Sequence, residues 1–247
     1  VTIIGLAMVR DEEDVLDHLL AHMIGQGVDR LVIADNLSTD STPEILHRWS
    51  LTSPVEVRQD NDPGYYQARK MTALLHSCGA VDGDWILPFD ADEWWYPTEG
   101  TLGEVLPDLE ADVLRVWGWN HYPNPTDADD PNPFTRMQWR EPGTQKHPKV
   151  WFRYHPDAVV GMGNHDVTRP GRHIGANRVV EFRHMGVRSF DQFTRKARNG
   201  AEAYEATDLP HWYGTHWREW GAMTPDELRA EYDRFCCLAT VHDPAPA

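Results

Sequence analysis

The feature that most constrains this chain is a repeated alternation of short apolar runs with amphipathic segments through its first part. Thr2 to Val9 is β-rich and runs into Arg10-Asp11-Glu12-Glu13-Asp14, acidic residues suited to a helix N-terminus. Val15, Leu16, Leu19, Leu20, Met23 and Ile24 then recur at helical spacing, and Gly25 and Gly27 supply a stop. Leu31 to Ala34 reads as a second strand ending at Asp35-Asn36, and Ser41-x-x-Glu44 with Pro43 carries a capping-box pattern for the next helix. Val55 to Arg58 is expected as a third strand, Gly64 to Leu75 as a third helix and Trp85 to Phe89 as a fourth strand. Strands alternating with helices imply right-handed crossovers, so an α/β fold with a mainly parallel sheet is expected.

In open sheets of this kind ligands bind beyond the carboxyl ends of the strands. That rim would gather Val9-Arg10, Asp35-Asn36, the Gln59 to Gly64 loop and Asp90-Ala91-Asp92. If the fourth strand continues through its acidic end, Asp90 and Asp92 share one face, because side chains two apart do so. Two carboxylates so placed repel unless a cation lies between them. A hard divalent ion, Mg²⁺ or Mn²⁺, suits all-oxygen ligation and would attract phosphate in turn. Asp-x-Asp by itself is also a common solvated acidic turn. Neither a Gly-x-Gly-x-x-Gly nor a P-loop pattern accompanies these strands, which disfavours a Rossmann dinucleotide site and a P-loop NTPase.

Bulk properties narrow the partners. At 247 residues the chain can bury a substantial core, and its net charge of −16 argues against nucleic acid or an anionic membrane as the main partner. No apolar run approaches a membrane span. Cys78, Cys236 and Cys237 lack metal-site spacing and suggest no disulfide framework, so a reducing, cytoplasmic setting is expected.

Beyond the fourth strand, Leu102 to Leu106 suggests a short helix and Val113 to Trp117 another strand. From His121 to Pro148 the chain carries Pro123, Pro125, Pro131, Pro133, Pro142 and Pro148, an irregular excursion that reads either as a ligand-binding lid or as a surface insertion. Lys149 to Arg153 reads as a strand returning to the sheet. Gly161 to Val167 is glycine-rich and bears His165 and Asp166. Val179 to His184 is a further strand, followed by a helix with Phe190, Phe193 and Ala197 on one face. Trp94 and Trp95 offer aromatic faces for contact with a bound ligand, whereas Trp212, Trp217 and Trp220 are expected to pack. Thr224-Pro225-Asp226-Glu227 caps a last helix, and Asp243 to Ala247 is expected to fray.

Four motifs in order carry a resemblance: Met8-Val9-Arg10-Asp11-Glu12, Val32 to Thr42, Pro63-Gly64 with Ala68-Arg69-Lys70, and Phe89-Asp90-Ala91-Asp92-Glu93. Together they resemble the GT-A fold glycosyltransferases, most of all the family 2 type. The resemblance implies a Rossmann-like sheet with flanking helices and an irregular C-terminal acceptor-side half. It divides the chain into a nucleotide-sugar-binding half at 1–120 and an acceptor-side half of the same domain at 121–247. It also implies a nucleotide-sugar donor, most often a UDP-sugar, and Mn²⁺ or Mg²⁺ between the aspartates and the diphosphate.

Carried over residue by residue, Val9 and Arg10 would lie near the nucleobase or ribose, and Asp35 would accept a hydrogen bond from the base. Arg69 or Lys70 would face the base or diphosphate, Asp90 with Ala91 the ribose or metal, and Asp92 would ligate the metal directly. His184 matches the late histidine that completes the metal site in related enzymes, with His165 as a second candidate. The resemblance further implies an inverting transfer with an acidic base. Asp166 is the first choice and Glu141 the second, although the usual Glu-Asp pair is absent. The expected activity is therefore metal-dependent transfer of a sugar to an acceptor hydroxyl on a glycan, natural product, lipid-linked glycan or protein. A nucleotidyltransferase and a non-catalytic nucleotide- or sugar-binding module stand as alternatives.

Overall fold

The computed structural model describes residues 1–171, 173–175 and 179–244. In chain order its elements are β1 (Ile3–Val9), α1 (Leu16–Gly25), β2 (Arg30–Asp35), α2 (Thr42–Thr52), β3 (Val55–Gln59), α3 (Gln67–Ser77), β4 (Trp85–Pro88) and β5 (Glu93–Pro97). There follow α4 (Leu102–Val105), β6 (Val113–Val116), β7 (Trp119–Asn120), α5 (Pro133–Arg136), β8 (Trp139–Arg140), β9 (Lys149–Arg153), β10 (Val159–Val160) and β11 (Val167–Thr168). The last are β12 (Ile174–Gly175), β13 (Val180–His184), α6 (Phe190–Glu205), α7 (Thr215–Ala222), α8 (Pro225–Cys236) and β14 (Val241–His242).

The chain forms two compact units, one of Val1–Asn61, Gln67–Gly118 and Gln145–Arg183, the other of Asp62–Tyr66, Trp119–Thr144 and His184–Ala247. In the first unit the central sheet runs β12-β6-β9-β4-β1-β2-β3. β4, β1, β2 and β3 are parallel, as the strand–helix alternation predicts, and β12 is parallel to β6. Only β9 runs antiparallel, wedged between β4 and β6. The sheet is buried on both faces: Leu16, Leu19, Leu20 and Met23 of α1 are fully buried, and Met71, Leu74 and Leu75 of α3 join Ile4, Leu6, Val32 and Ile86 in one apolar cluster.

The second unit is built on α6, α7 and α8, where Phe193, Ala197 and Leu228 bury against Tyr122, Val187 and Ala239. Gly200 lets α7 come close, since a Cβ there would meet the Trp217 ring at 2.5 Å. Trp217 and Trp220 pack as expected, with Trp220 edge-on to Phe193 and Phe235. Trp212 does not, being 77% exposed. The proline-rich excursion is ordered: Asn132 caps α5 by accepting from Phe134 N–H at 3.0 Å, and β8 pairs with β14.

The expectation of a tail frayed from Asp243 onward is corrected at Asp243 itself, whose N–H donates to Gln138 O at 2.7 Å. Asp243 accepts from Arg140 Nε at 3.1 Å and lies 3.3 Å from His121 Nε2; Ala245, Pro246 and Ala247 lie outside the described residues. Two helix starts also behave differently from one another. Thr224 forms the full capping box with Glu227, whereas Ser41 makes no side-chain cap and Asp40 accepts from Thr42 N–H at 2.9 Å instead. The acidic residues Asp11 to Asp14 precede α1 rather than open it, and Asp17 is the carboxylate of its first turn.

Candidate active site at the carboxyl rim of the sheet

Parallel register brings the expected rim together. Val9 pairs with Asp35 and Asp35 with Gln59, while Leu6 of β1 is level with Pro88 of β4. The strand order reverses between β1 and β4, with β2 and β3 on one side and the acidic turn on the other, which is where open sheets form a crevice.

The loops after β1 and β2 are knitted into one platform. Asp11 has a left-handed backbone (φ 54°), and its Oδ1 accepts from Thr39 N–H at 2.6 Å, Thr39 Oγ1 at 3.3 Å and Asp40 N–H at 3.3 Å. Glu12 N–H donates to Thr42 Oγ1 at 2.9 Å, and Asp11 N–H to Ser38 Oγ at 3.0 Å. A left-handed non-glycine backbone is uncommon and persists where its surroundings hold it, as these bonds do. The platform fixes Asp35, which is 4% exposed and accepts from Ser38 N–H at 3.3 Å. Asn36 donates to Asp60 at 2.8 Å, and Asp60 pairs with Lys70 at 2.7 Å. Lys70 is thus held against the β3 loop, while Arg69 is exposed on α3.

The acidic motif departs from the extended geometry expected of it. β4 ends at Pro88, and Asp90 to Glu93 form a turn in which Glu93 N–H donates to Asp90 O at 3.1 Å. Glu93 closes that turn from its side chain too. Its Oε2 accepts from Asp90 N–H at 3.0 Å and from Trp95 Nε1 at 3.2 Å, and Oε1 lies 2.9 Å from Lys149 Nζ. Lys149 also pairs with Asp90 Oδ2, while Asp90 Oδ1 accepts from Asn164 Nδ2 at 3.2 Å and Gln67 Nε2 at 3.5 Å. Burial alone would push the Lys149 pKa down, but the two carboxylates hold it above the ordinary lysine range. Ala91 is 3% and Asp92 2% exposed in the same turn.

Topology explains why a lysine arrives here. Ile86 of β4 pairs with Phe152 of β9, so the antiparallel register brings Lys149 level with Phe89, one residue before Asp90. The glycine-rich segment is tied in as well: Gln67 Oε1 accepts from Gly163 N–H at 2.6 Å, and Asn164, fully buried with φ 57°, reaches Asp90. His165 Nδ1 donates to Pro148 O at 2.8 Å; burial and the Lys149 charge lower its pKa, which favours the neutral ring. Asp166 is half-exposed and accepts from Arg115 at 2.9 Å.

In the second unit, the histidine and glutamate singled out from the sequence meet through one amide. His184 Nδ1 donates to Asn120 Oδ1 at 2.7 Å, and Asn120 Nδ2 donates to Glu141 Oε1. Any metal bond to His184 would therefore use Nε2. Among the described residues no three His, Cys, Asp or Glu side chains gather as a metal cluster.

Trp95 is a core residue, contrary to the expected ligand contact. It is fully buried, 4.3 Å from both the Trp151 and Phe182 rings, because the alternation of β5 turns it inward. Trp94 stacks on His22 at 3.6 Å. The residues that sequence reasoning missed are Asp11, Gln67, Lys149 and Asn164, together with the role of Glu93. Asp11 and Glu93 stood inside motifs already singled out, without an assigned role, and for Lys149 the signal was the single lysine opening the apolar run Lys149-Val150-Trp151-Phe152.

Solved structures are distant. S. aureus TarS 1-349 in complex with UDP-GlcNAc is 14% identical over 95% of this chain and 73% of that one, with a TM-score of 0.46. A longer S. aureus TarS structure, 14% identical over 94% of this chain, is covered over 43% of its length with a TM-score of 0.42. Glucosyl-3-phosphoglycerate synthase from Mycobacterium tuberculosis, in complex with Mn²⁺, UDP and glucosyl-3-phosphoglycerate, is 18% identical over 47% of this chain and 44% of that one, with a TM-score of 0.32. No curated protein matches. Among the described residues no helix is long and apolar enough to cross a membrane. The assignment comes from the family model: residues 8–162, spanning the platform, the acidic turn and Lys149, match glycosyl transferase family 2, so the chain belongs to that family and is a glycosyltransferase of the GT-A type.

Proposed function

We propose that the protein transfers a sugar from a UDP-sugar to an acceptor hydroxyl with the help of Mn²⁺ or Mg²⁺. The observation that carries this reading is the shared rim, where Asp35 on its bonded platform and the acidic turn flank the point at which strand order reverses. In this reading Val9 and Arg10 line the nucleoside, Asp35 accepts from the base, Arg69 faces the diphosphate, and Asp90 with Ala91 borders the ribose. Lys70, already paired with Asp60, shapes the loop.

The donor set fits a divalent ion. Asp92 offers hard oxygens, and ions of this kind are commonly held by one or two carboxylates plus substrate phosphates, without a full protein cage. When bound, the ion would offset the charge that develops on the departing nucleoside diphosphate. An inverting course requires a carboxylate to take the acceptor's proton. We assign that role to Asp166, half-exposed and held by Arg115, ahead of Glu141.

Calorimetry with UDP tests the reading. UDP should bind only with Mn²⁺ or Mg²⁺, and Asp92→Ala should abolish that binding while leaving the fold intact by circular dichroism. Equal UDP affinity with and without metal, unchanged in Asp92→Ala, would sink it.

A further inference from the structure

We propose that a cleft at the amino ends of β4 and β6 binds a small hydroxylated oxyanion, a sugar phosphate or a sugar acid in its chemistry. The cleft lies at the opposite end of β4 from the acidic turn and within the first unit. Its volume is about 560 Å³, and its polar lining is Asp82, Asp112, Arg153, His155 and Arg169. Small-molecule sites span roughly 300–1,000 Å³. The sheet builds it: Arg153, where β9 ends, pairs with Trp85 at the start of β4, and its N–H donates to Asp112 O at 2.8 Å just before β6.

Arg169 is the anchor. Its side chain is 7% exposed, and one nitrogen, Nη1, reaches Asp112, at 3.3 Å from Oδ1 and 3.4 Å from the carbonyl O. Its Nε is buried with no hydrogen-bond partner. Buried donors are nearly always paired, so an orphaned one points to a ligand or solvent atom that answers it. Nε and Nη2 form the edge with which an arginine takes two oxygens of a phosphate or carboxylate. An arginine serving only to pair Asp112 would present that edge to it, yet among the described residues no acceptor occupies the edge. Arg153 adds charge. Its Nη1 donates to Gly83 O at 2.9 Å and its Nη2 to Pro107 O at 3.2 Å and Leu109 O at 3.1 Å, with the guanidinium 4.7 Å from the Trp85 ring centre. These partners are neutral, so no carboxylate offsets that charge. His155 Nδ1 accepts from Asp157 N–H at 3.1 Å, which leaves Nε2 as a protonated donor. The two carboxylates set the rest of the ligand's chemistry. Asp82 is exposed and the Asp112 side chain is 38% exposed; both only accept, which suits hydroxyl groups and disfavours a bare anion.

Calorimetry on the whole chain, without metal or nucleotide, tests this with glucose 6-phosphate, glucuronate, inorganic phosphate and glucose as separate titrants. Glucose 6-phosphate or glucuronate should bind saturably and more tightly than inorganic phosphate, and glucose should not bind. Which of the two binds identifies the group held by Arg169 as phosphate or carboxylate. Arg169→Lys keeps the charge but loses the fork, so it should weaken that binding about tenfold or more, and Arg169→Gln should abolish it. A merely structural arginine would shift the urea midpoint and leave the affinity of the folded protein unchanged. Should both variants fail to fold, Asp82→Ala decides from an exposed position: inorganic phosphate should bind more tightly, and the preference for the hydroxylated ligand should shrink severalfold. The proposal is overturned if neither hydroxylated anion binds wild type, if folded Arg169→Gln binds as wild type does, or if Asp82→Ala changes neither affinity. Displacement of the bound anion by UDP with Mn²⁺ would place it in the donor site and overturn the proposal too. Failure of metal-dependent UDP binding in wild type would instead remove the donor-site reading and leave this cleft standing.

Discussion

Replacing Glu93 by alanine probes the network beneath the acidic turn, and the structure sets the expected size of the effect. Glu93 is 0% exposed, so no solvent screening discounts its interactions. Alanine would leave Lys149 with one carboxylate and orphan two donors, Asp90 N–H and Trp95 Nε1–H. Breaking a buried ion pair costs about 3–5 kcal/mol; the low end applies because Asp90 stays with the lysine. Each orphaned buried donor adds roughly 1 kcal/mol at the low end. The expected loss is about 5 kcal/mol, a large share of the roughly 5–15 kcal/mol that holds a domain folded. Glu93→Gln keeps an acceptor oxygen and loses the charge, so about 2 kcal/mol is expected there. Urea unfolding followed by tryptophan fluorescence and far-ultraviolet circular dichroism measures both. A Glu93→Ala midpoint equivalent to less than about 1 kcal/mol of destabilisation, at an unchanged slope, would refute the role assigned to this side chain.

Trp95→Ala should cost about 3–5 kcal/mol by opening a cavity between Trp151 and Phe182, whereas Trp212→Ala should stay within about 0.5 kcal/mol; the same denaturation assay separates them. Stability should also fall in mild acid. Burial lowers the pKa of both His22 and His165 from 6.5, so the unfolded chain takes up protons first as pH drops. The stability is full above the unfolded value of 6.5 and is lost towards each lowered folded value, by at most about 1.4 kcal/mol per pH unit for each histidine. Urea midpoints at about pH 7.5 and about pH 5.5 should differ, and less so in His165→Gln; equal drops in both proteins would count against the assignment of His165.

What the sequence determined by itself was the periodic part. Apolar residues at Leu16, Leu19, Leu20 and Met23, and short β-rich runs between turn signals, dictate elements whose local pattern also implies parallel crossovers. Once those strands are parallel, their carboxyl ends must share a rim, so Val9, Asp35, Gln59 and the acidic motif were legible together. Tertiary structure decided everything that depends on which distant segment arrives. The direction and register of β9 bring Lys149 to an aspartate 59 residues earlier, and no local pattern encodes that pairing. It also decided that the acidic end turns instead of extending, because Glu93 folds back onto Asp90 N–H and its own strand directs Trp95 into the core. Capping followed the same rule: Thr224 obeyed its local pattern, while at Ser41 a neighbouring carboxylate, Asp40, reached the helix first. Periodicity is a property of neighbours along the chain, whereas charge neutralisation in a buried turn is a property of neighbours in space.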